Sequence, residues 1–122
     1  LMKQITIILF CILCIFSSCG NNENNKLIVG HWKGAEWLIN GNPSNRNAAE
    51  TQFTFDANGD YTFISPNVLE KGTYNVENEM LFTKPKDQQE IMVRITKLTK
   101  DSLIFDMNRG GQPETLLLLR IP

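Results

Sequence analysis

Thr51-Gln-Phe-Thr-Phe-Asp-Ala-Asn-Gly-Asp-Tyr-Thr-Phe63 is the stretch on which the fold turns. Thr51, Phe53 and Phe55 fall on one face of an extended chain, with Gln52 and Thr54 on the other. Tyr61 and Phe63 resume the same alternation after Asp56-Ala-Asn-Gly-Asp60, a short run of turn-forming residues. Two half-buried strands joined by a tight turn make an antiparallel hairpin, and the period of two continues on both sides. Tyr74 and Val76 lead into Glu77-Asn78, and Met80 with Phe82 leads out. Ile91, Val93 and Ile95 alternate next, followed by Leu103, Phe105 and Met107. Leu116 to Leu119 is continuously apolar, which reads as a last strand buried on both sides or edged against another element.

Counting outward gives eight strands, at about 32–40, 49–56, 60–65, 71–76, 79–83, 89–97, 102–108 and 114–121. Their connections are short and rich in turn chemistry, which favours antiparallel neighbours. Eight sequential strands leave two aggregation-prone edges, and closing the sheet removes both. The expected fold is therefore all-β, an eight-stranded antiparallel up-and-down barrel, with a two-sheet sandwich fitting the same alternation. One helical turn over Lys26 to Val29 is the most helix the pattern suggests.

The front of the chain reads differently. Fourteen of its hydrophobic residues fall within the first nineteen positions. Met2-Lys3-Gln4 is a short positive start, Ile5 to Phe16 an apolar run, and Ser17-Ser18-Cys19 a small-residue junction. Twelve helical residues rise only ~18 Å against a ~30 Å hydrocarbon core, so the run reads as a cleaved signal peptide over 1–18. Residues 20–26, Gly-Asn-Asn-Glu-Asn-Asn-Lys, carry no apolar side chain and read, with Cys19, as a flexible tether over 19–26. The barrel domain then spans 27–122.

Phe16-Ser17-Ser18-Cys19 resembles the lipobox of bacterial lipoproteins. That resemblance implies acylation of Cys19, by palmitate-type chains, cleavage just before it, and anchoring in the cell envelope. Gly20 after the cysteine implies an outer-membrane destination in that family. With Cys11 and Cys14 in the leader, the remainder holds no cysteine nucleophile, disulfide or thiolate metal site.

Gly30-His31-Trp32 resembles the Gly-x-Trp signature that opens the first strand of lipocalins, and Arg120 in Leu117-Leu-Leu-Arg120 stands where that family places an arginine across the tryptophan. Ile28-Val-Gly-His-Trp-Lys33, Phe53 to Phe63, Gly72-Thr-Tyr74 and Leu98-Thr-Lys-Asp-Ser-Leu-Ile-Phe105 are similar to small bacterial lipoproteins with a lipocalin-like domain. Gly30, Trp32 and Arg120 are then expected to close one barrel end, the guanidinium stacking on the indole and donating to nearby carbonyls. The resemblance also implies a small apolar ligand.

Phe53, Phe55, Tyr61, Phe63, Tyr74, Phe82 and Phe105 are the candidate ligand-lining side chains. The same rings could equally fill the interior, since an eight-stranded barrel is just wide enough for that, and strands of about six residues favour substantial filling. Trp37 is out of phase with Trp32 unless a bulge intervenes, and otherwise marks an exposed contact site. Asp56, Asn58 and Asp60 have calcium-loop spacing, but Tyr61 and Asn67 stand where such a loop needs Gly and Glu, so a turn is expected. His31, next to Trp32, should face outward, and no nucleophile partners it. No catalytic set, metal site or cofactor is expected. Twelve basic against thirteen acidic residues offer no excess for a phosphate backbone, so nucleic acid is not expected as a partner. The alternative to a ligand carrier is an envelope protein binding a protein or glycan partner, with the polar segment Asn40-Gly-Asn-Pro-Ser-Asn-Arg-Asn47 as the contact loop.

Overall fold

A computed structural model describes residues 20–122. The signal peptide expected over 1–18 and the acylation expected at Cys19 lie outside the described residues. The described residues form one α-helix, α1 (Gly20–Ile28), one 3-10 turn at Ala48–Glu50, and nine strands: β1 (Gly30–Ile39), β2 (Asn42–Pro43), β3 (Gln52–Phe55), β4 (Asp60–Ser65), β5 (Val68–Glu77), β6 (Met80–Pro85), β7 (Ile91–Leu98), β8 (Ser102–Arg109) and β9 (Gln112–Ile121). All pair antiparallel, and β1 also pairs with β9, so eight strands close into a barrel with β2 as a short appendage on β1. Closure excludes the sandwich.

The connections follow turn chemistry. Gly110 (φ 63°) and Gly111 (φ 85°) form a two-residue hairpin whose positive φ at both positions matches the twist of the flanking strands. Asn78 (φ 56°) opens the equivalent two-residue turn between β5 and β6. The hairpin in the opening stretch forms between Asp56 and Asp60, where the Asp56 amide donates to the Asp60 carbonyl at 2.8 Å.

Alternation puts Trp32, Phe55, Tyr61, Val76, Leu81, Leu103, Phe105, Leu116 and Leu118 inside, each 2% exposed or less. Phe53 links the aromatic layer, stacked on Phe55 at 5.6 Å and packed against Phe63 at 4.8 Å and edge-on to Phe105 at 5.6 Å. The β9 run is not buried on both sides: Leu116 and Leu118 point inward, whereas Leu119 is 45% exposed. Pairing with β8 and β1 satisfies both edges of β9 but leaves its outer face to solvent.

Two sequence expectations fail here for identifiable reasons. Residues 20–26 are helical rather than a loose tether, and α1 extends well beyond the single turn suggested over Lys26 to Val29. Its polar side chains dock it on the sheet backbone, and apolar burial comes at its last turn. Asn25 brackets Val76, donating to its carbonyl at 2.9 Å and accepting from its amide at 3.1 Å, and Asn24 donates to the Asn78 carbonyl at 3.1 Å. Ile28 then buries completely. The segment 40–47 is likewise not a free loop. Asn42–Pro43 folds back on β1, and the amide and hydroxyl of Ser44 both donate to the Trp37 carbonyl, at 3.2 and 2.6 Å.

Candidate functional site

The strand directions give the barrel two unlike ends. At one lie α1 and the hairpins at Asp56, Asn78 and Thr99; at the other lie the β1–β2 segment and the β4–β5, β6–β7 and β8–β9 connections.

The first end is plugged. The Trp32 indole is fully buried and donates to the Ile28 carbonyl at 2.8 Å. The Arg120 guanidinium lies 4.2 Å from the indole centroid. It donates to the carbonyls of Lys100 at 2.6 Å, Val29 at 2.7 Å and Leu27. Three successive carbonyls at the C-terminus of α1, which have no intrahelical donors, are thereby satisfied by two side chains, one of them cationic where the helix dipole favours a cation. Gly30 makes this possible. Its φ is 137°, and a Cβ there would sit 2.3 Å from Arg120 Nη1.

The other end is hollow. A cavity of about 330 Å3 is lined by Trp37, Phe53, Phe63, Leu81, Thr83, Ile91, Val93, Phe105, Met107 and Leu116, with Glu70, Met92 and Asn108. Of the seven candidate lining residues, Phe53, Phe63 and Phe105 reach it. Phe55, Tyr61 and Tyr74 sit in the plugged half, where Phe55 meets Tyr74 edge-on at 4.9 Å and Tyr61 at 6.4 Å. The Tyr74 hydroxyl donates to the Asp56 carbonyl at 2.7 Å. The rings therefore fill half of the barrel and line the rest.

Phe82 does not face the cavity. The two-residue turn after Glu77 pairs Val76 with Leu81, so Leu81 shares the inner face with Val76 and Phe82 falls outside, between Asn75 and Met92. Trp37 does turn inward, contrary to the contact-site reading. A bulge between Gly34 and Glu36 shifts the β1 register, so that Trp37 pairs with the inward Leu116. His31 lies exposed on the outer face, its Nδ1 3.0 Å from Thr54 Oγ1.

The sequence reading missed two inward carboxylates. Glu114 is 2% exposed, accepts from Trp37 Nε1 at 2.7 Å and pairs with Arg46 at 3.6 Å. Arg46 itself lies over the Trp37 ring, 5.2 Å from its centroid. Glu70 stands on the cavity wall beside Phe63 and accepts the Tyr61 hydroxyl at 2.7 Å. Burial, and then the bond to Glu70 and its charge, push the Tyr61 phenol well above the usual range. Tyr74 is raised as well, by burial and then by the Asp56 charge. The signal was available: Glu70 is two residues from Gly72 on one strand face, and Glu114 two from Leu116.

A larger groove of about 590 Å3 crosses β4, β5 and β6 on the outside, between Asp56, Asp60 and Asp87 and Lys71, Lys84 and Lys86. It is shallow, and its solvated charges of both signs make it a poorer site than the smaller apolar hollow.

The comparisons agree with this architecture. No curated protein matches the chain. Among solved structures it is similar to an uncharacterized protein of Bacteroides eggerthii DSM 20697, with 12% identity over 77% of this chain and 99% of the other, at a TM-score of 0.62. A lipocalin-like protein of Bacteroides uniformis ATCC 8492 is similar at 10% identity over 78% and 99% of the two chains, with a TM-score of 0.63. At such identities these likenesses speak for the fold alone. A family model described as a lipocalin-like domain matches residues 28–105, from the last residue of α1 into β8. The chain belongs to the lipocalin-like domain family.

Proposed function

We propose that this chain is an envelope lipoprotein, anchored by lipid on Cys19, whose barrel takes up a small apolar molecule at its open end. The observation that carries the reading is the cavity of about 330 Å3 between Phe53, Phe63, Val93, Phe105 and Leu116. Its volume lies near the low end of the ~300–1,000 Å3 usual for ligand sites, which suits a single ring system or short chain and not a whole phospholipid. The lipocalin-like fold supports a binding role over a catalytic one. The anchor rests on Ser17-Ser18-Cys19 following an apolar run.

The test is uptake of the neutral fluorophore N-phenyl-1-naphthylamine by the purified protein. Saturable enhancement is expected, and Val93→Trp, which places an indole in the hollow, should abolish it while leaving unfolding within about 1 kcal/mol of wild type. Absence of saturable uptake by the wild type refutes the carrier reading. The anchor is tested separately by incorporation of labelled palmitate, which Cys19→Ser should eliminate.

A further inference from the structure

The cavity is mostly apolar, and among the described residues Glu70 is the one ionisable side chain that lines it. Glu70 lies opposite Phe63 on the inner face of β5 and lines the hollow with it. One of its oxygens, Oε2, accepts the Tyr61 hydroxyl at 2.7 Å. Tyr61 is 1% exposed, and its proton is held firmly on the phenol by burial and by Glu70 itself. Thr83 also stands on the cavity wall. The bond from Tyr61 runs in one direction, phenol to carboxylate, and ends on an atom that can only accept.

Among the described residues Glu70 also has no counter-ion. The two ion pairs among the described residues are Arg46–Glu114 and Arg94–Glu79. Lys71, next in sequence, is exposed on the outer face. The contrast with Glu114 is informative. That carboxylate is buried more deeply but answered by Trp37 and Arg46, and it belongs to the packing. Glu70 keeps Oε1 without a protein donor among the described residues. An apolar ligand that fills the hollow displaces the water around this oxygen, which is costly unless the ligand supplies a donor of its own. An anionic head group would add like-charge repulsion in a low-dielectric pocket.

We infer that Glu70 sets the ligand class of this cavity: an apolar molecule bearing an ammonium or comparable hydrogen-bond-donor head group, bound against the carboxylate. The inference rests on the carrier reading above and extends it to the charge of the ligand. Specificity of this kind arises as much from rejecting anions as from attracting cations.

The experiment is displacement of N-phenyl-1-naphthylamine from the purified protein at neutral pH by octylamine, octanol and octanoate, which share one chain length and differ in head group. Octylamine should compete at concentrations about tenfold or more below octanoate, with octanol between them. Glu70→Gln keeps an acceptor for Tyr61 and removes the charge, and it should narrow the ratio to within about threefold. Octanoate competing as well as octylamine, or an unchanged ratio in Glu70→Gln, overturns the inference. The wild-type ratio decides even if the variant folds poorly. Failure of the neutral fluorophore to bind is a different outcome and removes the carrier reading along with the charge preference.

Discussion

Replacing Arg120 by alanine should cost the domain about 3 kcal/mol of stability, the balance of the separate effects below. The guanidinium makes three hydrogen bonds to carbonyls, of Lys100, Val29 and Leu27, and stacks 4.2 Å from the Trp32 centroid. Hydrogen bonds from a charged donor are worth ~1.5–3 kcal/mol each when buried, and the cation–π contact ~1–2 kcal/mol. The Lys100 bond is exposed and contributes little, and water entering the vacated space partly resatisfies the helix carbonyls. Against these discounts, Arg120 joins α1, β1 and β9 at once, so its loss also loosens the helix from the barrel. Thermal unfolding followed by circular dichroism should show a fall in Tm on the order of 15 °C, at ~5 °C per kcal/mol for a domain of this size. Arg120→Lys keeps the charge but cannot reach three carbonyls from one plane, and should recover less than half of the loss. A loss below about 1 kcal/mol in Arg120→Ala would refute the plug as a structural device.

Gly30→Ala should destabilise by about 1–3 kcal/mol, since φ of 137° is strained for any side chain and the new methyl meets the guanidinium; equilibrium urea unfolding measures it. Phe105→Ala should cost about 3–5 kcal/mol because the ring is 2% exposed, whereas Phe82→Ala on the outer face should cost clearly less; equal losses in urea titrations would contradict the face assignment. Tyr61 and Tyr74 should both ionise above the ordinary phenol value of 10.0, as read by phenolate absorbance. Because the folded-state values are raised, the unfolded chain loses these protons first. The stabilisation they represent is complete below pH ~10 and is lost as pH rises from there toward the folded values. Tyr61→Phe should flatten part of that alkaline decline.

The barrel was largely legible because its signal is a period of two interrupted by turn residues, repeated around the whole wall. Strand phase across a turn was harder. Whether Leu81 or Phe82 faces inward depends on how many residues the Asn78 turn consumes, and a single residue inverts the answer. Trp37 stayed undecided for a related reason: its facing hung on whether a bulge intervened, and the one at Gly34–Glu36 leaves no mark in the hydrophobic pattern. Helix α1 escaped because Asn24 and Asn25 dock it by hydrogen bonds to β5 and its turn, partners some fifty residues away in sequence, while the rule that tethers lack apolar residues sees composition only. The inward carboxylates were masked by their number: thirteen acidic residues offer no means of choosing Glu70 and Glu114 until the strand faces are known.

The seam between β1 and β9 has a consequence for how the molecule is made. Every other wall pairing joins neighbours along the chain and can zip as synthesis proceeds, but this one binds the opening strand to the final one. The keystone arginine emerges more than ninety positions after the leucine and valine to whose carbonyls it donates. A nascent or prematurely terminated polypeptide therefore presents two raw strand borders and an unsealed base, the state most prone to sticking to its own kind and most open to proteases. Integrity of the wall is decided only once β9 has been made and has found β1.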